Sequence, residues 1–271
     1  AGGAVALPAG VVRLDAGLRA DAWTGGPLVW SPELGAVLPA GAAEIRLRLA
    51  RGVRAPTFAD LYFASPLPFV RPPELRPERV VLDAEVGLRV VPALGVQLDA
   101  AAYHRELRDA IVWAPSSFVG WTPRNVDRVR ARGFEAEAHL RRGPWTARWR
   151  YEWTDPRFRI PGNRARLPYV PGHSLAATLA WDADASARLT VRYVGRRTAG
   201  LTGTTRMPPV AVVDVAAAVP VPGTGGRLAL GVELLNALDA AYEWIPLYPM
   251  PGREWRVAGH WTPFRPKGGP R

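Results

Sequence analysis

Charge avoids every second residue along most of this 271-residue chain, and the turns joining the segments that obey this rule are short and long by turns. The last hairpin, residues 227–261, shows the pattern. Leu228, Leu230, Val232 and Leu234 alternate with Ala229, Gly231 and Glu233, and on the return Trp255, Val257, Gly259 and Trp261 alternate with Arg256, Ala258 and His260. A period of two with one apolar face is the signature of a strand. The turn before this hairpin, residues 222–226, is tight and Gly-rich, whereas the connection inside it is wide and holds Tyr242, Trp244 and Tyr248.

Twelve such strands can be read between residues 12 and 261, and no charge falls on their apolar faces. The connections at 39–43, 91–94, 141–144, 182–186 and 220–226 are tight, while 52–79, 105–129, 154–172 and 195–209 are long. A soluble β-sandwich shares two-faced strands but has no reason to alternate its loop lengths. A barrel in an outer membrane does, because every second turn is a short periplasmic one. The pattern therefore predicts an all-β fold, an antiparallel transmembrane β-barrel, with an even number of strands near twelve and both chain ends on the short-turn side. Trp23, Trp30, Trp145, Trp153, Trp181, Tyr193, Trp255 and Trp261 lie near strand ends, where interfacial aromatic girdles sit. No run approaches 18 uncharged apolar residues, so a transmembrane helix is excluded.

The formal net charge of +11 is almost wholly arginine, Lys267 being the single lysine. With no basic run of five and no helix to carry one, nucleic acid is not an expected partner. Cysteine is absent, and residues 1–10 lack a basic segment leading into an apolar one, so the chain reads as mature or as an internal fragment. His104, His139, His173 and His260 are scattered, without paired ligands. Ser174 neighbours His173 but points to the opposite face of a strand. Neither a catalytic residue, a metal site nor a cofactor is expected.

Four ordered motifs carry a family likeness. RGVRAPTFADLYF (51–63) followed by PPELRPERV (72–80), then NVDRVRARGFEAEAHL (125–140), LLNALDAAY (234–242) and PGR (251–253) together resemble the TonB-dependent outer-membrane receptors, in their cobalamin and ferric-siderophore branch. The resemblance spans about residues 11–261. It implies that the strands correspond to the last twelve of a twenty-two-stranded barrel, with residues 1–264 as barrel and 265–271 as a polar tail. The family's plug domain and its box for the energy-transducing partner are not in this sequence. Coupling to a TonB-type complex, which the resemblance implies, would run through that missing plug region.

The resemblance makes Arg54, Pro56, Pro77, Glu78, Gly133, Glu135, Asn236, Tyr242, Gly252 and Arg253 barrel-building residues, with Glu135 and Glu137 facing the lumen. It also implies an outer-membrane location with lipid around the wall, and uptake of a small-molecule ligand, a metal chelate or cobalamin-like compound. Loop residues Tyr62, Phe63, Phe69, Arg71, Trp113, Trp121, Trp244 and Tyr248 are the expected ligand contacts. Two other readings stand beside it: a passive pore formed by twelve strands closing on themselves, and a soluble all-β binding module.

Overall fold

The structure, a computed structural model, describes residues 2–7, 10–23, 28–62, 74–116, 120–159, 162, 164–199 and 205–262. The chain begins with β1 (Gly2–Leu7), β2 (Gly10–Asp21), β3 (Val29–Ala40) and β4 (Ala43–Arg54), then makes one short helix, α1 (Phe58–Tyr62). Three tall strands follow: β5 (Glu78–Ala93), β6 (Val96–Ser116) and β7 (Gly120–Arg142). Next come β8 (Trp145–Thr154), the two-residue β9 (Arg157–Phe158), β10 (His173–Asp182), β11 (Ser186–Val194) and a small hairpin of β12 (Arg197–Ala199) and β13 (Thr205–Met207). The chain closes with β14 (Val210–Pro220), β15 (Leu228–Leu235), a second small hairpin of β16 (Glu243–Ile245) and β17 (Tyr248–Pro249), and β18 (Glu254–Trp261).

One antiparallel sheet runs β1-β2-β3-β4-β5-β6-β7-β8-β10-β11-β14-β15-β18, and β9 continues the β7 edge above β8. Every long strand pairs with its neighbours in sequence, which makes this an up-and-down meander. The tight turns share one end and bond to each other: Val91 N–H donates to the Ala42 carbonyl at 2.9 Å, Arg141 N–H to Gly95 at 2.7 Å and Asp182 N–H to Pro144 at 2.8 Å. Gly95, at φ 80°, is required there, because a Cβ would collide with the Arg141 carbonyl.

The twelve expected strands are all present, from β2 to β18. Two expectations are corrected. β1 adds a thirteenth long-sheet strand, pairing Gly2 with Asp15, so the count along the path is odd and Gly2 lies part-way up the wall rather than at the short-turn end. The long connection expected over 105–129 is mostly sheet, since β6 and β7 pair from Val96↔Leu140 out to Ser116↔Gly120. That extension carries charge on both faces (Arg105, Glu106, Arg108, Arg128, Arg130). The period of two is written into sequence only where one face meets an apolar medium.

The apolar positions do not form a core. Leu18 is 66% exposed, Leu34 58%, Leu230 48% and Val257 77%, all on the outward face of the sheet. Such a continuous belt is the surface a barrel presents to hydrocarbon. Trp145 and Trp153 bracket it on β8, eight residues apart, which at about 3.4 Å per residue and a tilt of about 40° is about 21 Å of height. Trp145 pairs with Trp181 at the short-turn end and Trp153 with Phe134 at the other. The small buried cluster of Ala110, Val129 and Phe158, with Leu107, Val126 and Leu167 around it, sits in the extension of β6 and β7.

The opposite face is a ladder of ion pairs. Asp83 accepts from Arg48 at 3.0 Å and Arg105 at 2.9 Å, while Arg48 also reaches Glu33 at 2.7 Å. Asp99 joins Arg46 at 3.0 Å and Arg89 at 2.7 Å, Arg150 reaches Glu135 and Glu137, and Arg192 meets Asp214 at 2.7 Å.

A charge moved between the faces tests this geometry. In the intact protein, Leu189→Arg places a cation beside Leu179 and Val215 on the belt and is expected to cost about 2–4 kcal/mol. Thr190→Arg, one residue on, faces the polar side and is expected to stay within about 0.5 kcal/mol. Denaturant unfolding and heat-modifiable electrophoretic mobility check the pair; equal losses would contradict lipid exposure.

Candidate functional site

The long-loop end of the wall is organised by three polar knots, and each includes residues of at least one of the sequence motifs. The first begins where β4 ends at Arg54. Thr57 caps α1: its hydroxyl accepts from Asp60 N–H at 3.1 Å and donates to the Asp60 carboxylate at 2.8 Å, while Thr57 N–H donates to the same carboxylate at 2.9 Å. This reciprocal arrangement is a capping box with Asp at its fourth position. Arg54 bridges Asp60 at 3.2 Å and Glu78 at 3.3 Å. The Trp113 indole N–H donates to Asp60 at 3.1 Å and Ile111 N–H to Glu78 at 3.0 Å. Pro56 and Pro77, which cannot extend a ladder as donors, stand beside Thr57 and Glu78 where the chain leaves and re-enters the sheet.

Asp60 is 4% exposed. Burial pushes its carboxyl up, but the hydrogen bonds from Thr57 and Trp113 and the Arg54 charge outweigh that and hold it below the ordinary carboxylate range.

The second knot lies on β7 and β8. Gly133 faces Tyr103 directly across the ladder, and a Cβ there would collide with the Tyr103 ring. The tyrosine lies over the glycine and donates its hydroxyl to Thr154 at 2.8 Å. Next to Thr154, the buried Asp155 collects Arg157 at 2.9 Å, Arg166 at 3.1 Å and Arg132 at 3.4 Å.

The third knot ties the last hairpin. Asn236 takes a left-handed φ of 47°, a conformation Asn tolerates. Its side chain accepts from Ala240 N–H and donates to the Ala240 and Pro251 carbonyls, and its N–H donates to Asp214 at 2.9 Å. Asp239 accepts from Arg253 N–H at 2.8 Å, and its carboxylate lies where a Cβ on Gly252 would crowd it at 2.9 Å. Nearby, Tyr242 packs edge-on against Trp244 at 5.2 Å, and the Arg197 guanidinium lies 5.5 Å from the Trp244 ring. Arg197 is 5% exposed and donates to the Glu243 carbonyl, and burial pushes its pKa down.

The expected ligand contacts fall into separate groups. Tyr62, 61% exposed, packs at a tilt against Phe58 at 4.5 Å, and Tyr248, 69% exposed, lies in the β16-β17 hairpin. Trp113 is committed to Asp60, and Trp244 to Arg197 and Tyr242. Phe63, Phe69 and Arg71 lie outside the described residues, as does the Trp121 side chain, although Trp121 pairs with Pro115 in the sheet. Asp60, Tyr103, Asp155 and Arg197 were not singled out from sequence. The T-x-x-D spacing ahead of α1 was the available signal for Asp60, whereas a lone Arg among 33 others offers none.

Comparison with known proteins follows this geometry. A family model described as TonB dependent receptor-like, beta-barrel, matches residues 5–236. The vitamin B12 transporter BtuB of Vibrio vulnificus (strain YJ016) is 33% identical over 242 residues, covering 86% of this chain and 36% of that protein. Among solved structures, a mutant of the ferric enterobactin receptor PfeA from Pseudomonas aeruginosa aligns with a TM-score of 0.71 at 16% identity, covering 93% of this chain and 42% of its own. The FrpB iron transporter from Neisseria meningitidis aligns at 0.67 and 18% identity, over 95% and 44%. At those identities the likeness to the solved structures is one of fold, and the chain spans less than half the length of each relative.

Asp60→Asn, made in the intact protein, is expected to release α1 from Arg54 and Trp113, lowering the local opening energy of residues 58–62 by about 1–3 kcal/mol. A depressed carboxylate contributes above its unfolded pKa and loses that contribution as pH falls through the folded one. Amide exchange should therefore show α1 protected at neutral pH and opening only below the ordinary carboxylate value of about 3.9. The variant should be open throughout.

Proposed function

Because the chain belongs to the TonB-dependent receptor-like β-barrel family, we propose that it forms part of the membrane wall of an outer-membrane receptor importing a scarce nutrient: a ferric siderophore, a cobalamin or a similar chelate. The observation that carries the reading is the 33% identity sustained over 242 residues with a vitamin B12 transporter. It is supported by the two-faced wall, apolar outside and lined with arginine–carboxylate pairs inside, which suits an anionic or zwitterionic cargo moving through a polar lumen. The relatives' names span vitamin B12, ferric enterobactin, iron and copper, so the fold does not choose among cargos.

The three knots give the connections after β4, β8 and β15 a fixed base. From those bases, Tyr62 and Tyr248 offer the most exposed aromatic faces among the described candidates, and Phe63, Phe69, Arg71, Trp121, Trp113 and Trp244 complete the proposed contact set. Energy coupling to a TonB-type complex belongs to the same proposal, since the family is defined by that dependence. The passive pore receives no support from the ladder: β1 pairs only with β2 and β18 only with β15 among the described residues.

Uptake by cells lacking the gene, complemented with the whole receptor that carries this segment, tests the proposal. Cyanocobalamin import that requires the energy-transducing partner is the expected outcome, with a ferric siderophore as the alternative cargo in a parallel assay. Import of small solutes that persists unchanged without that partner would favour the pore.

A further inference from the structure

One buried cation at the long-loop end has no counterion. Arg197 is 5% exposed, and its Nη1 reaches neither solvent nor a hydrogen-bond partner. All 24 carboxylate side chains of the chain belong to the described residues, and none of them forms an ion pair with it. What it has instead is the Glu243 carbonyl on Nη2 and the ring of Trp244. A carbonyl and a ring face offset only part of a guanidinium's lost hydration. The Glu243 carboxylate is engaged elsewhere. It accepts from Leu247 N–H at 3.1 Å and so holds the tip of the β16-β17 hairpin, where Leu247 takes a left-handed φ of 70° that a bulky residue rarely adopts.

Register places this charge beside a cavity. Arg197 stands directly opposite Met207, so the two side chains share one face of the β12-β13 hairpin. Met207 and Glu243 both line a cavity of about 490 Å³ between that hairpin and β16-β17, a size within the range of about 300–1,000 Å³ typical of small-molecule sites. Much of the remaining lining is flat and apolar, with Pro208, Pro209, Pro246, Tyr242 and Met250. The chain has two methionines, and both are here. Thioethers make favourable contacts with aromatic rings and adapt to irregular shapes. Arg206 adds a second cation to the lining, against the single carboxylate of Glu243.

We propose that this cavity binds a small aryl carboxylate, with its ring among the prolines and methionines and its carboxylate paired with Arg197. A guanidinium suits a carboxylate because it can bond both oxygens at once. Trp244 lies over the guanidinium, 5.5 Å from it, and turns aside when the acid reaches Nη1. Binding therefore exchanges a cation–π contact for an ion pair, and the indole of Trp244 reports the exchange. An inorganic anion would use the charge and leave the apolar lining unused.

The experiment uses the intact protein in detergent, labelled with 5-fluorotryptophan, with the Trp244 fluorine resonance identified from Trp244→Phe. Benzoate is the probe and benzamide its uncharged isostere. The wild type is expected to bind benzoate saturably and shift the Trp244 resonance, and to bind benzamide roughly 10–100-fold more weakly, the factor supplied by a hydrogen bond to a charged group. Arg197→Met should lose that preference while staying folded, because it removes an uncompensated buried charge; its melting temperature should rise. Arg196→Met, at the exposed neighbouring position, should bind benzoate as the wild type does. Absence of saturable binding, equal binding of benzoate and benzamide, or an unchanged preference in Arg197→Met would overturn the proposal. Inorganic phosphate competing as strongly as benzoate would overturn it too, since the ring would then contribute nothing. Binding is read without transport, so this inference and the functional reading above fail separately.

Discussion

In hydrocarbon a backbone N–H or C=O without a partner costs several kcal/mol, and the ladder from β1 to β18 answers that cost strand by strand. Each long strand between them bonds to a neighbour on either side. Everything else depends on this continuity. The turns are tight at one end because adjacent strands must be joined without a gap, and the long connections can vary because the ladder beneath them is already complete. The outer edges of β1 and β18 carry unpaired groups among the described residues. A wall of this kind is stable in a membrane only when further strands continue those edges.

With the backbone satisfied, the two faces divide the chemistry. Outward residues meet lipid and need no specific partner, which is why Leu, Val and Ala suffice there. Inward residues are charged and sit a few ångströms from each other, so they occur in cross-strand sets such as Glu33–Arg48–Asp83–Arg105. Exposed pairs of this kind contribute little individually. Their value lies in keeping a lumen polar while leaving few charges unmatched.

The long-loop end follows a different rule. Arg54, Asp60, Glu78 and Trp113 come from three strands and a helical turn yet meet in one knot, and Asn236, Asp239, Gly252 and Arg253 meet in another. The motifs that mark the family are thus the points at which long connections are tied to the sheet.

The strand count from β2 to β18, the facing of each side chain and the common end of the tight turns were legible in the sequence, because a boundary between lipid and polar lumen forces a period of two. The motif positions were legible too, as a resemblance. What the sequence alone did not reveal lies where that boundary stops. The upper halves of β6 and β7 carry charge on both faces and read as loop until pairing showed them as sheet. The partnership of Trp113 with Asp60, 53 positions apart, and the placing of Arg197 beside Met207, which lines a cavity, depend on register between strands. Register is a property of neighbours in space, and only the tertiary structure decides it.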